Sequence, residues 1–213
     1  DNASNLFSSD CDTRRMKITA ISDLHGKCPV LAEGDLLIVA GDLAQEGREP
    51  SFYAWLEMQP YVHKVYIAGN HDWHLIGCLP KSEGSVHYLM NSGVEISGLK
   101  IWGSPFTPRF GNWAFMDNRG ECMARHWDII PEDTDILVTH GPPKGILDRT
   151  VRGVDAGCEA LVEHLKTSNI KYHIFGHIHE GDGRLNKDGI HYLNVSYVDE
   201  FYRPKNLPVE III

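Results

Sequence analysis

No run of about eighteen apolar residues occurs in this 213-residue sequence, so it offers no helix able to cross a bilayer, and no membrane partner is expected. The first stretch, DNASNLFSSDCDTRR, is polar and lacks the apolar centre of a secretory signal. Clusters of lysine and arginine are missing as well. With 20 basic residues against 29 acidic ones the net charge is −9, which works against long nucleic acid because that partner needs many cations aligned on phosphates. A small anion stays compatible, since a few local cations can hold it whatever the overall field. Cys11, Cys28, Cys78, Cys122 and Cys158 form an odd set without a Cys-x-x-Cys pair. That fits reduced thiols and a cytoplasmic location better than a disulfide framework. Asn2-Ala3-Ser4 and Asn194-Val195-Ser196 match the glycosylation triplet, but nothing else reads as secreted. Repeats, low-complexity tracts and linkers are also lacking, so residues 17–213 read as one domain behind an N-terminal extension of residues 1–16.

What is present is an alternation of short apolar runs with helical patterns. KITAISD (17–23), DLLIVAGD (35–42), KVYIAGN (64–70), DILVTHG (135–141) and YHIFGHIH (172–179) read as buried strands. EPSFYAWLEMQP (49–60) and GCEALVEHLKTS (157–168) have apolar residues at helical spacing and serve as crossovers. Residues 86–105 read as strands joined by Asn-Ser-Gly and Ser-Gly turns, and IHYLNVS and PVEIII add further strands. The fold class is therefore α/β, a partly parallel framework with added hairpins. The longest loop is SPFTPRFGNWAFMDNRG (104–120), a length that usually carries function.

Each of the five main strands runs into polar residues, and in an α/β sheet such ends face one crevice. They deliver Asp23 and His25, then Asp42, then Asn70, His71 and Asp72, then His140, then His177 and His179. Alternate residues of an extended segment point the same way, so Asp23 with His25 can share one ion, and His177 with His179 can serve two adjacent ions. Singly, an aspartate after a strand is usually a turn or cap residue. Jointly, four imidazoles, two carboxylates and an amide are too many for one ion. Mixed nitrogen and oxygen donors suit manganese, iron or zinc rather than calcium. Two divalent metals follow.

These motifs in order, Asp-x-His, Gly-Asp, Gly-Asn-His-Asp, His and Gly-His-x-His, resemble the calcineurin-like metallophosphoesterase superfamily over residues 17–179. The resemblance implies a four-layer α/β/β/α sandwich of two mixed β-sheets flanked by helices. It also implies a ligand scheme: Asp23, His25, Asp42 and His179 for one ion, and Asp42, Asn70, His140 and His177 for the other, with Asp42 bridging. Manganese is the expected metal, with iron, zinc, nickel, cobalt or magnesium as other occupants. The implied reaction is phosphate-ester hydrolysis by a metal-bridging hydroxide, with His71 as general acid and Asp72 positioning it.

Phosphoprotein phosphatases of the superfamily carry an arginine in the second motif, where this sequence reads GDLAQEG, with Gln45 and Glu46 in those places. A carboxylate cannot grip phosphate as a guanidinium does, which points to a diester. GDLAQEG, GSPFTP, VTHGPPKGILD and FGHIHEGDG further resemble the metallophosphoesterase domain-containing family, relatives of cyclic nucleotide phosphodiesterases. The expected substrate is thus a small phosphodiester, a cyclic nucleotide foremost. Asn70, His71, Phe106 and Arg109 are the expected substrate contacts, with Trp113, Phe115 and Lys144 as further candidates. The alternatives are a metal-dependent nuclease and a metal-bearing interaction scaffold with little catalysis.

Overall fold

The computed structural model describes residues 15–78, 80 and 84–213; most of the expected N-terminal extension, the Asn2 triplet and Cys11 lie outside these. Along the chain come β1 (Lys17–Ile21), β2 (Gly34–Ala40), α1 (Glu49–Met58), β3 (Tyr61–Ile67), β4 (Val86–Tyr88), β5 (Ser92–Ile96) and β6 (Leu99–Ser104). There follow β7 (Thr107–Pro108), β8 (Met116–Asp117), α2 (Glu121–Trp127), β9 (Ile136–Thr139) and α3 (Glu159–Leu165). The chain closes with β10 (Tyr172–Phe175), β11 (Gly183–Lys187), β12 (Ile190–Asn194) and β13 (Val209–Ile212).

Alternation along the strands sets the layers. In β2, Leu36 and Ile38 enter a central apolar cluster with Ile136, Val138 and Ile174 of the second sheet, whereas Leu37 and Val39 pack outward on Phe52, Trp55 and Leu56 of α1. On the far side, Met123 and Trp127 of α2 join Leu161 and Leu165 of α3 against Leu137, Phe175 and Tyr192. The order is helix, sheet, sheet, helices, as expected.

The first sheet runs β13-β1-β2-β3-β4 and the second β11-β12-β10-β9-β6-β5, with β7 and β8 paired apart. Both large sheets are parallel at the centre and antiparallel at an edge: β13 on β1, β11 on β12 and β5 on β6. A parallel bridge of Ser22 to Ser196 ties the sheets together where β1 and β12 end.

The 86–105 stretch differs from expectation. Ser97-Gly98 is the turn of the β5–β6 hairpin, with φ of 51° and 83°, but Asn91-Ser92-Gly93 is not a hairpin turn. There the chain leaves the first sheet, where β4 pairs with β3, and enters the second, with Asn91 at φ 47° making the bend. No helix among the described residues is long and apolar enough to cross a membrane.

Candidate metal centre

Each main strand stops short of the residues expected to bind metal. β1 ends at Ile21, β2 at Ala40, β3 at Ile67 and β10 at Phe175, so Asp23, Asp42, Asn70 and His177 stand in the turns that follow. Asp23 (φ 55°), His25 (φ 44°), Asp42 (φ 52°) and His177 (φ 70°) all take the left-handed conformation, which costs a non-glycine residue about 1–3 kcal/mol and clusters at functional sites. The expectation that Asp23 and His25, or His177 and His179, align as alternate residues of a strand is therefore overturned. Left-handed turns aim them instead.

The turns bring all seven side chains together. Asp42 faces two ways: its Oδ2 lies 3.6 Å from Nε2 of His25, and its Oδ1 lies 3.3 Å from Nε2 of His140. On the first side, Nε2 of His179 is 3.4 Å from Oδ1 of Asp23 and 3.4 Å from Nε2 of His25. On the second, Nε2 of His140 is 3.0 Å from Oδ1 of Asn70, and the His140 and His177 ring centroids are 5.0 Å apart. Asp23–His25–His179, His25–Asp42–His71 and Asp42–His140–His177 each offer donor atoms within 4.8 Å of one another. This donor set fits two metal ions, with Asp42 placed between the His25 and His140 sides. Glycine is required beside it, because a Cβ at Gly69 would collide with Oδ1 of Asp42 and one at Gly176 with Oδ2 of Asp23.

Neighbouring groups orient the imidazoles. Nδ1 of His140 is 2.9 Å from the Ala40 carbonyl and Nδ1 of His179 is 3.0 Å from the Asp199 carbonyl. Both contacts place an N–H on Nδ1 and turn Nε2 toward the cleft. Burial alone would lower the His140 pKa, but the charge and hydrogen bond of Asp42 outweigh it and raise it to about 9. Burial likewise opposes His179, and the hydrogen bond and charge of Asp23 lift it to about 9. Burial holds His25 down at about 4 and His177 at about 3, so both imidazoles are neutral near pH 7. Asp23 and Asp42 resist burial and stay below the usual carboxylate range because of the imidazoles facing them.

A pH prediction follows. A raised histidine pKa contributes stability that is full below the unfolded value near 6.5 and is lost as pH rises through about 9. Chelator-treated protein is therefore expected to melt at lower temperature at pH 9 than at pH 6. Metal-loaded protein is expected to lack this decline, since its ions compete with the same protons and bind more tightly as pH rises. Melting curves at both pH values, with and without chelator, check this.

Ser196 was not anticipated. Its Oγ is 2.8 Å from Oδ2 of Asp23 and 2.8 Å from Oδ1 of Asn194. Because the Ser196 N–H already donates to that Asn194 oxygen, the hydroxyl proton is free to hold Asp23. The Asn194 side chain is fully buried and donates to the carbonyls of Ile178 and Leu147, so this triplet is a structural brace and not a glycosylation acceptor. Its resemblance to a sequon masked the signal. Ser196→Ala is expected to weaken the ion on the Asp23 side by about 10- to 100-fold while sparing the other, as stepwise metal titration by calorimetry would reveal.

Several other placements differ from expectation. The Asp72 carboxylate is buried and accepts from the amides of Leu43 (3.0 Å), Ala44 (3.4 Å) and Gly69 (2.7 Å), so it clamps the Asp42 turn to the Asn70 turn and does not enter the cleft. Phe106 stacks on His126 at 3.7 Å and packs on the core, and Phe115 is buried behind it. Neither reaches substrate space. Arg109 turns to Asn118 and the Met116 carbonyl, and Lys144 pairs with Glu159. The aromatic rings that do reach the cleft, a space of about 500 Å³, are Phe110, Trp113 and Tyr202. Phe110 is 5.3 Å from His177, Trp113 is 4.6 Å from His71, and Tyr202 is 4.7 Å from His25. Tyr202 comes from a turn knotted by Asp199, whose carboxylate accepts from Phe201 and Arg203 and whose carbonyl steadies His179. No spacing in the sequence marks that turn.

Two mixed sheets whose strand ends gather histidine and aspartate clusters around one shared carboxylate define a metal-dependent phosphoesterase. The calcineurin-like phosphoesterase family model matches residues 16–181, and the chain belongs to that family. It is 33% identical over 228 residues to human metallophosphoesterase domain-containing protein 1, covering 92% of this chain and 70% of that one. It is also 39% identical to a stretch of a protein from Emericella nidulans described as a probable rhamnogalacturonate lyase C, covering 79% of this chain but 18% of that one. Among solved structures, the phosphopantetheinyl hydrolase of Mycobacterium tuberculosis superposes with a TM-score of 0.60 at 15% identity over 92% of this chain and 95% of that one, a likeness of fold alone.

Proposed function

We propose that this metallophosphoesterase hydrolyses small phosphodiesters, cyclic nucleotides foremost, and that manganese ions serve it, held by Asp23, His25, Asp42 and His179 on one side and by Asp42, Asn70, His140 and His177 on the other. When bound, such ions would polarise the phosphoryl oxygens and lower the pKa of water, and the chain supplies the rest. The observation that carries this reading is His71. Its backbone N–H donates to Oδ1 of Asp42 at 2.8 Å, and its imidazole stands on the open side of the centre, 26% exposed, with Nε2 4.0 Å from Oδ2 of Asp42. It is held at the centre yet free to give a proton to a departing alcohol.

The preference for a diester is supported by how the cations are used. Gln45 and Glu46 are exposed where phosphatases of the superfamily carry a gripping arginine. Arg119, which lines the cleft, is engaged by Glu159 and by the carbonyls of Ala156 and Gly157. A diester, with one negative charge fewer than a monoester, needs such a clamp less. The family relationship to metallophosphoesterase domain-containing protein 1 agrees with the reading without fixing a substrate.

The test is manganese-loaded protein on a chromogenic diester, its matching monoester, 2′,3′- and 3′,5′-cyclic nucleotides and a single-stranded oligonucleotide. Turnover of the diester and a cyclic nucleotide is expected. Activity restricted to the oligonucleotide would make the protein a nuclease, and silence on all substrates with two ions bound would leave a scaffold.

A further inference from the structure

Large apolar side chains crowd the mouth of the metal cleft although water reaches them. Phe110 is 59% exposed and Trp113 41%, and Val151, Val154 and Tyr202 line the same space. Trp113 differs in kind from Phe106 and Phe115 of the same loop, which the β7–β8 pairing turns inward. Its ring centroid lies 4.6 Å from that of His71 at an interplanar angle of 40°, and Tyr202 flanks His71 at 6.2 Å. If His71 gives its proton to the oxygen leaving phosphorus, the group carried by that oxygen lies beside His71 and therefore against Trp113.

Charge narrows what that group can be. Glu180 and Glu200 line the cleft, Arg119 is committed to Glu159, and Arg152 sits on the rim between Val151 and Val154. A further phosphate on the leaving group would meet two carboxylates against the one arginine, Arg152, that lines the cleft besides the committed Arg119.

We infer that Trp113 builds an aromatic subsite on the leaving-group side of the cleft, one that takes a flat ring bearing no negative charge, such as the nucleobase of a nucleoside. This rests on the phosphodiesterase reading above. In the hydrolysis it serves, the oxygen of water bonds to phosphorus as one of its protons is released to solvent, the bond from phosphorus to the alcohol oxygen breaks, and the proton from His71 passes to that oxygen, His71 then regaining a proton from solvent. The subsite adds affinity and selection, with base–aromatic stacking as the source.

The experiment measures binding of adenosine monophosphate, adenosine diphosphate and inorganic phosphate to manganese-loaded wild type, Trp113→Ala and Trp113→Phe by calorimetry, alongside turnover of a chromogenic diester. Wild type is expected to bind the monophosphate more tightly than phosphate and more tightly than the diphosphate. Trp113→Ala is expected to lower the ratio of monophosphate to phosphate affinity by about 5- to 100-fold, and Trp113→Phe to recover most of it. An unchanged ratio, or an equal loss for monophosphate and phosphate, would overturn the subsite and leave Trp113 as packing for His71. Tighter binding of the diphosphate would overturn its charge selection. Wild type that turns over the diester while the ratio stays unchanged fails this inference alone. Wild type that holds two ions yet neither binds phosphate nor cleaves the diester brings down the phosphodiesterase reading, and the subsite with it.

Discussion

Asp42→Asn should leave a folded protein that holds at most one ion and turns over diesters at least about 10³-fold more slowly, a loss of roughly 4 kcal/mol in transition-state stabilisation. The size follows from geometry. Among the described residues, Asp42 is the carboxylate whose two oxygens address separate imidazoles, His25 through Oδ2 and His140 through Oδ1, so its neutralisation weakens both half-sites together. Asparagine keeps the shape of the turn at φ 52°, and this residue tolerates the left-handed conformation better than most. What it removes is charge. Without that charge the pKa of His140, fully buried and raised mainly by Asp42 against the pull of burial, should fall and the residue should lose its proton near neutral pH. Asp23→Asn is the control, because Asp23 faces His179 and serves one side only. Metal analysis should then find close to one ion in the Asp23 variant that survives dialysis, and fewer in the Asp42 variant. Two retained ions in Asp42→Asn would end the shared-carboxylate account.

The chemistry of the centre was legible in the sequence because it resides in residue identity and order. Aspartate, histidine and asparagine closing five apolar runs announce ligands wherever the backbone later points them. The backbone itself was less legible. Periodicity marks the buried strands, but a buried strand and the tight turn after it look alike when both are flanked by glycine, so each apolar run reads two to four residues past the point where its strand ends. Gly69 and Gly176 punctuate the motifs because Asp42 and Asp23 occupy the space a Cβ would need, a contact between distant segments that no local pattern reveals. The loop at 104–120 shows the same limit. Its aromatics are visible in sequence, yet their side is set by a two-residue pairing in which the Thr107 N–H bonds to the Phe115 carbonyl and the Arg109 N–H to that of Asp117. That pairing draws Phe106 and Phe115 inward and leaves Phe110 and Trp113 at the cleft. The helix α2 has no clear mark in the sequence, because seven residues give one short apolar stripe, Met123 and Trp127, whose partners on α3 lie far along the chain.

His71→Ala separates proton donation from metal binding in one experiment. The His71 imidazole lies near enough to His25 and Asp42 to be counted as a donor for the first ion, with ring centroids of His25 and His71 4.8 Å apart. Yet its partial exposure and its contact with Trp113 place it at the face where substrate arrives, while His25 and His179, with Asp23, already supply the first side. If it is the general acid, the alanine variant should retain both ions and lose about 10²- to 10⁴-fold in turnover of a diester whose leaving alcohol is strongly basic. On a nitrophenyl diester, whose leaving group departs without a proton, the loss should shrink to a small fraction of that. A metal ligand would behave otherwise: its removal would cost an ion and depress both substrates by the same factor, because the phosphoryl half they share would be less well held. Equal losses with both ions still bound would instead assign His71 to gripping the phosphate. The ratio of the two losses, measured beside the metal content, is therefore the quantity that decides its role.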